Sequence, residues 1–335
     1  MQKQHPFSKF IAILARGKTK TRPLTLEEAE ESMGMILRGE AEREQIGAFL
    51  MLLRLKEETP EEIAGFTLGT RTVFDLPADM PHVDLDWSSY AGKRIQLPWF
   101  ILSALAMAGA GYRVFMHGTD GHTPGRVYTQ ETLEKLGVPI APTLTEAAAD
   151  LRKYNFAYSP LEALSPILRE LIQLRPILGL RSPVHSFARM LNPFNADMMM
   201  QGIFHRGFMD VHSGAAIILN QKHMAVFRGE GGEIERRPNK PTVVETTHGT
   251  GPAVQETWPA LVPDPHQPKD LEMDTSELAT VWSGETTNTY GEAAITGSMA
   301  IALKTMGKAD SVEAAQALAE DIWANRDKAN IYKAA

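Results

Sequence analysis

Glu233 and Glu235 stand two positions apart in the run Arg228-Gly229-Glu230-Gly231-Gly232-Glu233-Ile234-Glu235. On extended backbone such residues share a face and could act together. The simpler expectation is a solvent-exposed, acid-rich hairpin turn. His117, Gly118 and Thr119 follow the apolar Phe115-Met116. A histidine at the C-terminal end of a parallel strand lies at the ligand-binding edge of such sheets. The competing reading is a half-buried histidine satisfied by backbone. Arg181, between Gly179 and Ser182, should sit where a helix ends and a loop enters a cleft. Its guanidinium could fork onto a phosphate, or it could serve a structural ion pair.

Basic residues form the second chemical signal. The first 26 residues carry Lys3, Lys9, Arg16, Lys18, Lys20 and Arg22 and no acid, and residues 152–206 hold seven Lys or Arg against three acids. Arg169, Arg175, Arg189 and Arg206, with His185 and His205, could line up against phosphates spaced along a nucleic-acid backbone, or could be scattered over different faces. No helix-turn-helix, zinc-finger or RNA-recognition signature accompanies them, so base-specific reading is not expected. His205, His212 and His223 lack metal-pair spacing, and no Gly-x-Ser-x-Gly turn supports a serine nucleophile. The run Met198-Met199-Met200 reads as adaptable packing.

The elements that must position these residues change character along the chain. From Thr25 to Phe74 apolar residues recur at helical spacing, with Thr25 and Glu28 forming a capping box and Thr59-Pro60 opening a further helix. After about residue 80 strands and helices alternate, which predicts a mostly parallel sheet with helices packed on it. Strands are expected at 83–85, 112–116, 156–158, 215–219 and 224–227, and helices at 99–110, 130–136, 164–174, 292–306 and 311–325. Residues 246–275, with five prolines, read as a loop. This gives a helical unit over 1–77 and an α/β unit over 78–335.

Composition bounds the rest. The 335 residues, 43% hydrophobic and 22% charged with a net charge of −7, describe a globular chain long enough for two domains. The absence of cysteine excludes disulfides, thiolate metal sites and cysteine nucleophiles. No apolar run approaches the roughly 20 residues of a spanning helix and no secretory leader is visible, so a cytoplasmic protein without membrane contact is expected.

Three segments carry a family resemblance. The first is Leu24-Thr25-Leu26-Glu27-Glu28-Ala29, Ile36-Leu37-Arg38-Gly39-Glu40 and Arg54 to Gly65. The second is Phe115-Met116-His117-Gly118, and the third runs from Leu178-Gly179-Leu180-Arg181-Ser182 to Leu191-Asn192-Pro193. Together they resemble anthranilate phosphoribosyltransferases of glycosyltransferase family 3. The resemblance implies a small N-terminal helical dimerisation domain, a larger α/β domain of the nucleoside phosphorylase and phosphoribosyltransferase type, and a homodimer. It also places Arg181 where the family lines its anthranilate site.

The departures from that family bear on function. Where the family has a Gly-Thr-Gly-Gly-Asp-Gly turn against pyrophosphate, this chain has Trp87-Ser88-Ser89-Tyr90-Ala91-Gly92-Lys93, with Trp87 and Tyr90 expected to fill ligand space. Pro98 falls in the segment that gives the family further phosphate contacts and removes a donor. Ile234 stands where a second magnesium carboxylate would be, leaving Glu233 and Glu235 as a weakened pair. These losses resemble the YbiB-type branch, which implies a degenerate phosphoribosyl pyrophosphate site and binding of DNA or RNA without sequence preference. Arg16, Lys18, Lys20, Arg22, Arg169, Arg175, Arg189 and Arg206 are the nucleic-acid candidates. His117, Gly118, Thr119, Arg181, Lys93 and Arg94 are the candidates for a cleft holding a small phosphorylated ligand. The alternative is a transferase or phosphorylase acting with magnesium on an unidentified acceptor, with Lys93 or Arg94 contacting phosphate.

Overall fold

The computed structural model describes residues 4–17, 19–270 and 272–334, so Lys3 and Lys18 of the basic N-terminal run lie outside the described residues. The chain opens with four helices, α1 (Ser8–Ala15), α2 (Leu26–Leu37), α3 (Arg43–Lys56) and α4 (Pro60–Arg71). Reciprocal caps start two of them. Thr25 accepts from the Glu28 amide while Glu28 accepts from the Thr25 amide, and Thr59 and Glu62 repeat the arrangement ahead of Pro60. α2 and α4 pack closely because α4 carries Gly65 and Gly69, where a Cβ would come within 2.4 Å of backbone oxygens of α2.

Seven strands follow: β1 (Leu85–Ser89), β2 (Val114–Gly118), β3 (Phe156–Pro160), β4 (Met198–Ile203), β5 (His223–Arg228), β6 (Thr242–His248) and β7 (Val254–Trp258). They form one sheet in the order β3-β2-β1-β4-β5-β6-β7, parallel from β3 through β5 and antiparallel for the last two. Successive side chains alternate between two cores. Leu85, Trp87, Val114, Met116, Met198, Met200, Ala225 and Phe227 join one core with helix α5 (Phe100–Gly109) and the helix Thr289–Thr305. Phe115, Met199, Met224 and Val226 face the other, which is continuous with the N-terminal bundle.

That bundle draws on a second stretch of chain. Phe66 meets Phe187 at 5.5 Å, and Arg71 donates to the carbonyls of Met190 and Leu191. Residues 161–191 therefore complete the helical layer although they lie far beyond residue 77. Sheet order reverses direction between β1 and β4, so the loops after these strands diverge and open a crevice at their C-terminal ends.

Several expectations are corrected. Residues 215–218 belong to the helix Met209–Ile218 and Leu219 caps it, because the small residues Gly214, Ala215 and Ala216 give it a face that packs against α4 and the sheet. The stretch 246–275 contains the end of β6 and all of β7, an edge strand exposed along its length except at Trp258, so it carries no period-2 apolar signal. The methionine run is the central strand β4, buried throughout. Strand β1 also runs on through Trp87 to Ser89, so the turn begins only at Tyr90.

Candidate anion site

The loop leaving β1 presents the backbone amides of Ala91 and Gly92 toward the crevice, and a carboxylate of the same chain receives them. Glu233 Oε1 accepts from Ala91 N at 2.6 Å and Gly92 N at 2.5 Å, and its Oε2 accepts from the Ser89 hydroxyl at 3.0 Å. The next carboxylate, Glu235, does the same at a helix start. Its Oε2 accepts from Phe100 N, the first amide of α5, at 2.9 Å, while Oε1 pairs with the Lys93 ammonium. Paired loop amides and a helix N-terminus are the two standard backbone cradles for phosphate oxygens. Here both hold side chains delivered by the loop after β5, which approaches so closely that a Cβ on Gly202 or Gly229 would lie 2.2 or 1.7 Å from the Glu233 carbonyl.

The acid-rich turn is therefore buried, with Glu230, Glu233 and Glu235 at most 3% exposed, and the expected exposed hairpin is corrected. Lys93 lies fully buried between Glu230 and Glu235. Burial opposes its charge, but the two carboxylates outweigh it and hold its pKa above the ordinary lysine value. Burial pushes Glu235 up to about 7, with Glu230 adding to the rise and Lys93 opposing it. The residues do not fit magnesium as ligands: both candidate carboxylates are taken up by protein donors, and no group of three or more His, Asp or Glu with metal-holding geometry occurs among the described residues.

His117 is buried, with Nδ1 2.8 Å from the Tyr90 hydroxyl and Nε2 3.2 Å from Asp86 Oδ2. Burial raises the Tyr90 pKa well above its usual value, so its hydroxyl stays protonated and can donate to Nδ1. Both ring nitrogens are thereby engaged inside the protein. Trp87 points the other way, into the core against Phe100 at 6.4 Å, which corrects its expected place in the ligand space. The strand pleat decides this, since Trp87 and Tyr90 are three residues apart and fall on opposite faces.

The expected cations separate into three groups. Arg175 and Arg181 meet at Thr123, with Arg126 and Arg189 close enough to act on Arg181, whose pKa burial and these neighbours bring down to about 10. Arg126, which stood outside the sequence-based candidates, donates to the carbonyls of Ala91 and Gly92, and Arg189 to those of Gly202 and Gly232. Arg169 is tied to Thr119 and Asp120, so it braces the loop after β2 rather than presenting a free charge. Arg16, Lys20 and Arg22 lie on the helical layer away from the crevice, with Arg22 paired to Glu28. Arg206 joins none of the three. Arg94 is exposed, and Gly118 ends β2 below the Thr119 turn.

Between the bundle and the sheet a cavity is lined by Arg54, Glu58, Arg181, Ser182, His185 and His212. Ser182 Oγ, His185 Nε2 and His212 Nδ1 find no partner there. Burial, reinforced by nearby arginines, lowers His122 from 6.5 to about 4, and His185 and His212 to about 3. A depressed histidine stabilises the fold above its unfolded pKa, and that contribution is lost as pH falls through the folded value. Glu235 acts oppositely between about 4.5 and 7, but three groups outweigh one. The thermal midpoint should therefore drop as pH is lowered from 7 toward 4; a midpoint that holds or rises would contradict these neutral histidines.

Comparison with known proteins agrees with this architecture. A family model described as "Glycosyl transferase family, helical bundle domain" matches residues 8–72. An anthranilate phosphoribosyltransferase of Nitratidesulfovibrio vulgaris is 27% identical over 68% of each chain. The uncharacterized protein YbiB of Escherichia coli is 30% identical over 56% of this chain and 59% of its own length. Among solved structures, anthranilate phosphoribosyltransferase of Thermus thermophilus superposes with a TM-score of 0.75 at 22% identity, covering 96% of this chain and 95% of that one. The Saccharomyces cerevisiae enzyme in complex with PRPP and Mg gives 0.78 at 15% identity, covering 96% and 94%. Fold and site thus define a helical bundle joined to an α/β layer with a crevice at the sheet reversal, its backbone amides held by Glu233 and Glu235. The chain has the anthranilate phosphoribosyltransferase-like fold of the glycosyltransferase family 3 type, with YbiB among its relatives.

Proposed function

We propose that this protein does not transfer phosphoribosyl groups to anthranilate but binds phosphate-rich ligands, namely DNA or RNA without sequence preference. The observation that carries the first half is the placement of the Glu233 and Glu235 carboxylates on the Ala91, Gly92 and Phe100 amides. A pyrophosphate arriving there would meet two carboxylates already holding the donors it needs. The cationic side chains of Arg54 and Arg181 at the crevice, and of Arg206 in a separate groove, support the second half. The transferase alternative keeps only one of its two proposed phosphate contacts, the exposed Arg94, because Lys93 is buried between two carboxylates.

Calorimetry with phosphoribosyl pyrophosphate and magnesium should show no saturable heat, and anthranilate should not be consumed. Binding of a labelled mixed-sequence oligonucleotide should weaken linearly in log salt, with a slope set by the number of phosphates contacted. Donor binding with turnover, and no oligonucleotide binding, would return the chain to the transferases. A separate expectation concerns Arg169. Truncating it to Ala should lower stability by about 1–3 kcal/mol through its lost bonds to Thr119 and Asp120, with oligonucleotide affinity little changed.

A further inference from the structure

Arg206, Arg228, Arg237 and Lys240 line one groove, together with Met209, Pro241, Thr242 and Val243, and no carboxylate belongs to that lining. It lies at the edge where β5 ends and β6 begins, outside the crevice closed by Glu233. None of the four cations forms an ion pair among the described residues, whereas many of the protein's other basic residues do. The Arg237 Nε is buried without a partner. Four like charges drawn together in a protein of net charge −7 repel one another unless an anion joins them. Beside the groove Phe204 is 50% exposed, with the Arg228 guanidinium 5.8 Å from its ring centre and His205 against its edge. A large aromatic ring left half in water next to paired forks has the chemistry of a stacking platform with a phosphate clamp.

We infer that this groove is a second anion site, one that takes a nucleotide unit: its phosphate on Arg206, Arg228, Arg237 and Lys240, and its base on Phe204. The inference rests on the reading that the protein binds phosphate-rich ligands, and names the surface that does so. A nucleotide unit can come from a free mononucleotide or from a single strand, and the two are distinguished by probe.

The test uses the full chain with a labelled mixed-sequence single-stranded 12-mer, the same sequence as duplex, and AMP, across a salt series. The double reversal Arg228→Glu/Lys240→Glu should weaken single-strand binding at least about tenfold and flatten the log–log salt slope by about 1.4, two contacts at about 0.7 each. A charge-matched control, Lys308→Glu/Lys328→Glu, alters exposed lysines elsewhere and should change neither by as much. Phe204→Ala should weaken single-strand binding by about tenfold, leave duplex binding unchanged and leave the slope intact, the mark of lost stacking. AMP binding lost in the same variants would assign the site to mononucleotides as well; AMP failing to bind while the 12-mer binds would assign it to strands. Unchanged affinity and slope in the double reversal, with native binding present, would overturn the groove and leave the broader reading standing. Absence of binding to all three probes by the native protein would overturn both.

Discussion

Glu233→Ala is expected to destabilise the fold by about 3–5 kcal/mol, because two buried amides and the Ser89 hydroxyl lose a charged acceptor and each such bond is worth about 1.5–3 kcal/mol less its relaxation. The loss should be largest in water and partly recovered by millimolar phosphate or pyrophosphate. An inorganic anion can enter the space left by the carboxylate and accept from the same Ala91 and Gly92 amides. Glu233→Gln should cost less, about 1–2 kcal/mol, since its carbonyl still accepts although the charge is gone. Urea unfolding of the three proteins with and without phosphate reads all of this. A phosphate-insensitive Ala variant of near-native stability would show that the amides do not depend on Glu233, and would remove the main reason for regarding the cradle as self-occupied.

Lys93→Met is the second large effect. It leaves Glu230 and Glu235 buried together without their cation, and breaking a buried pair in this way costs about 3–5 kcal/mol. The cost should grow with pH. Glu235 is already pushed up to about 7 by burial, so it contributes stability below about 4.5 that is lost as pH rises through its folded value. Without Lys93 that value climbs further, and ionising the carboxyl at alkaline pH becomes a larger burden on the folded state alone. Stability measured at pH 5.5 and 8.5 should therefore fall more for the variant than for the native protein at the higher pH. The double change Lys93→Met/Glu235→Gln should recover part of the loss, because the amide needs no counter-charge and still accepts from Phe100 N. Equal losses at both pH values would mean that Lys93 matters through packing alone.

Both effects concern residues whose chemical type was visible in the sequence and whose surroundings were not. Glu233 and Glu235 were recognisable as a pair, yet alternation of acids and glycines describes an exposed turn as well as a buried one. Burial follows only when the loop after β5 folds back over β1 and α5, contacts separated by more than 130 residues. Arg126 was legible as a basic residue before a helix, but nothing local marks it as the clamp on the Ala91 and Gly92 carbonyls. The strand misassigned at 215–219 shows the opposite limit: a short apolar run has no period long enough to separate strand from helix, and packing on α4 decides.

By itself the sequence determined the helical start of the chain, the alternating α/β layer and the family likeness, because caps, helical periodicity and short motifs act over a few residues and survive any change of distant context. It also determined that the turn after β1 carries a single glycine, Gly92, among bulkier residues. Only the tertiary structure decided that two carboxylates fill that cradle, that Lys93 is enclosed rather than offered to a ligand, and that Arg206 joins Arg228, Arg237 and Lys240 instead of the arginines of residues 169–189. Charge is a property of a residue, but whether it is neutralised, buried or presented depends on which strand ends the sheet order brings side by side, and that order is set by packing across the whole chain.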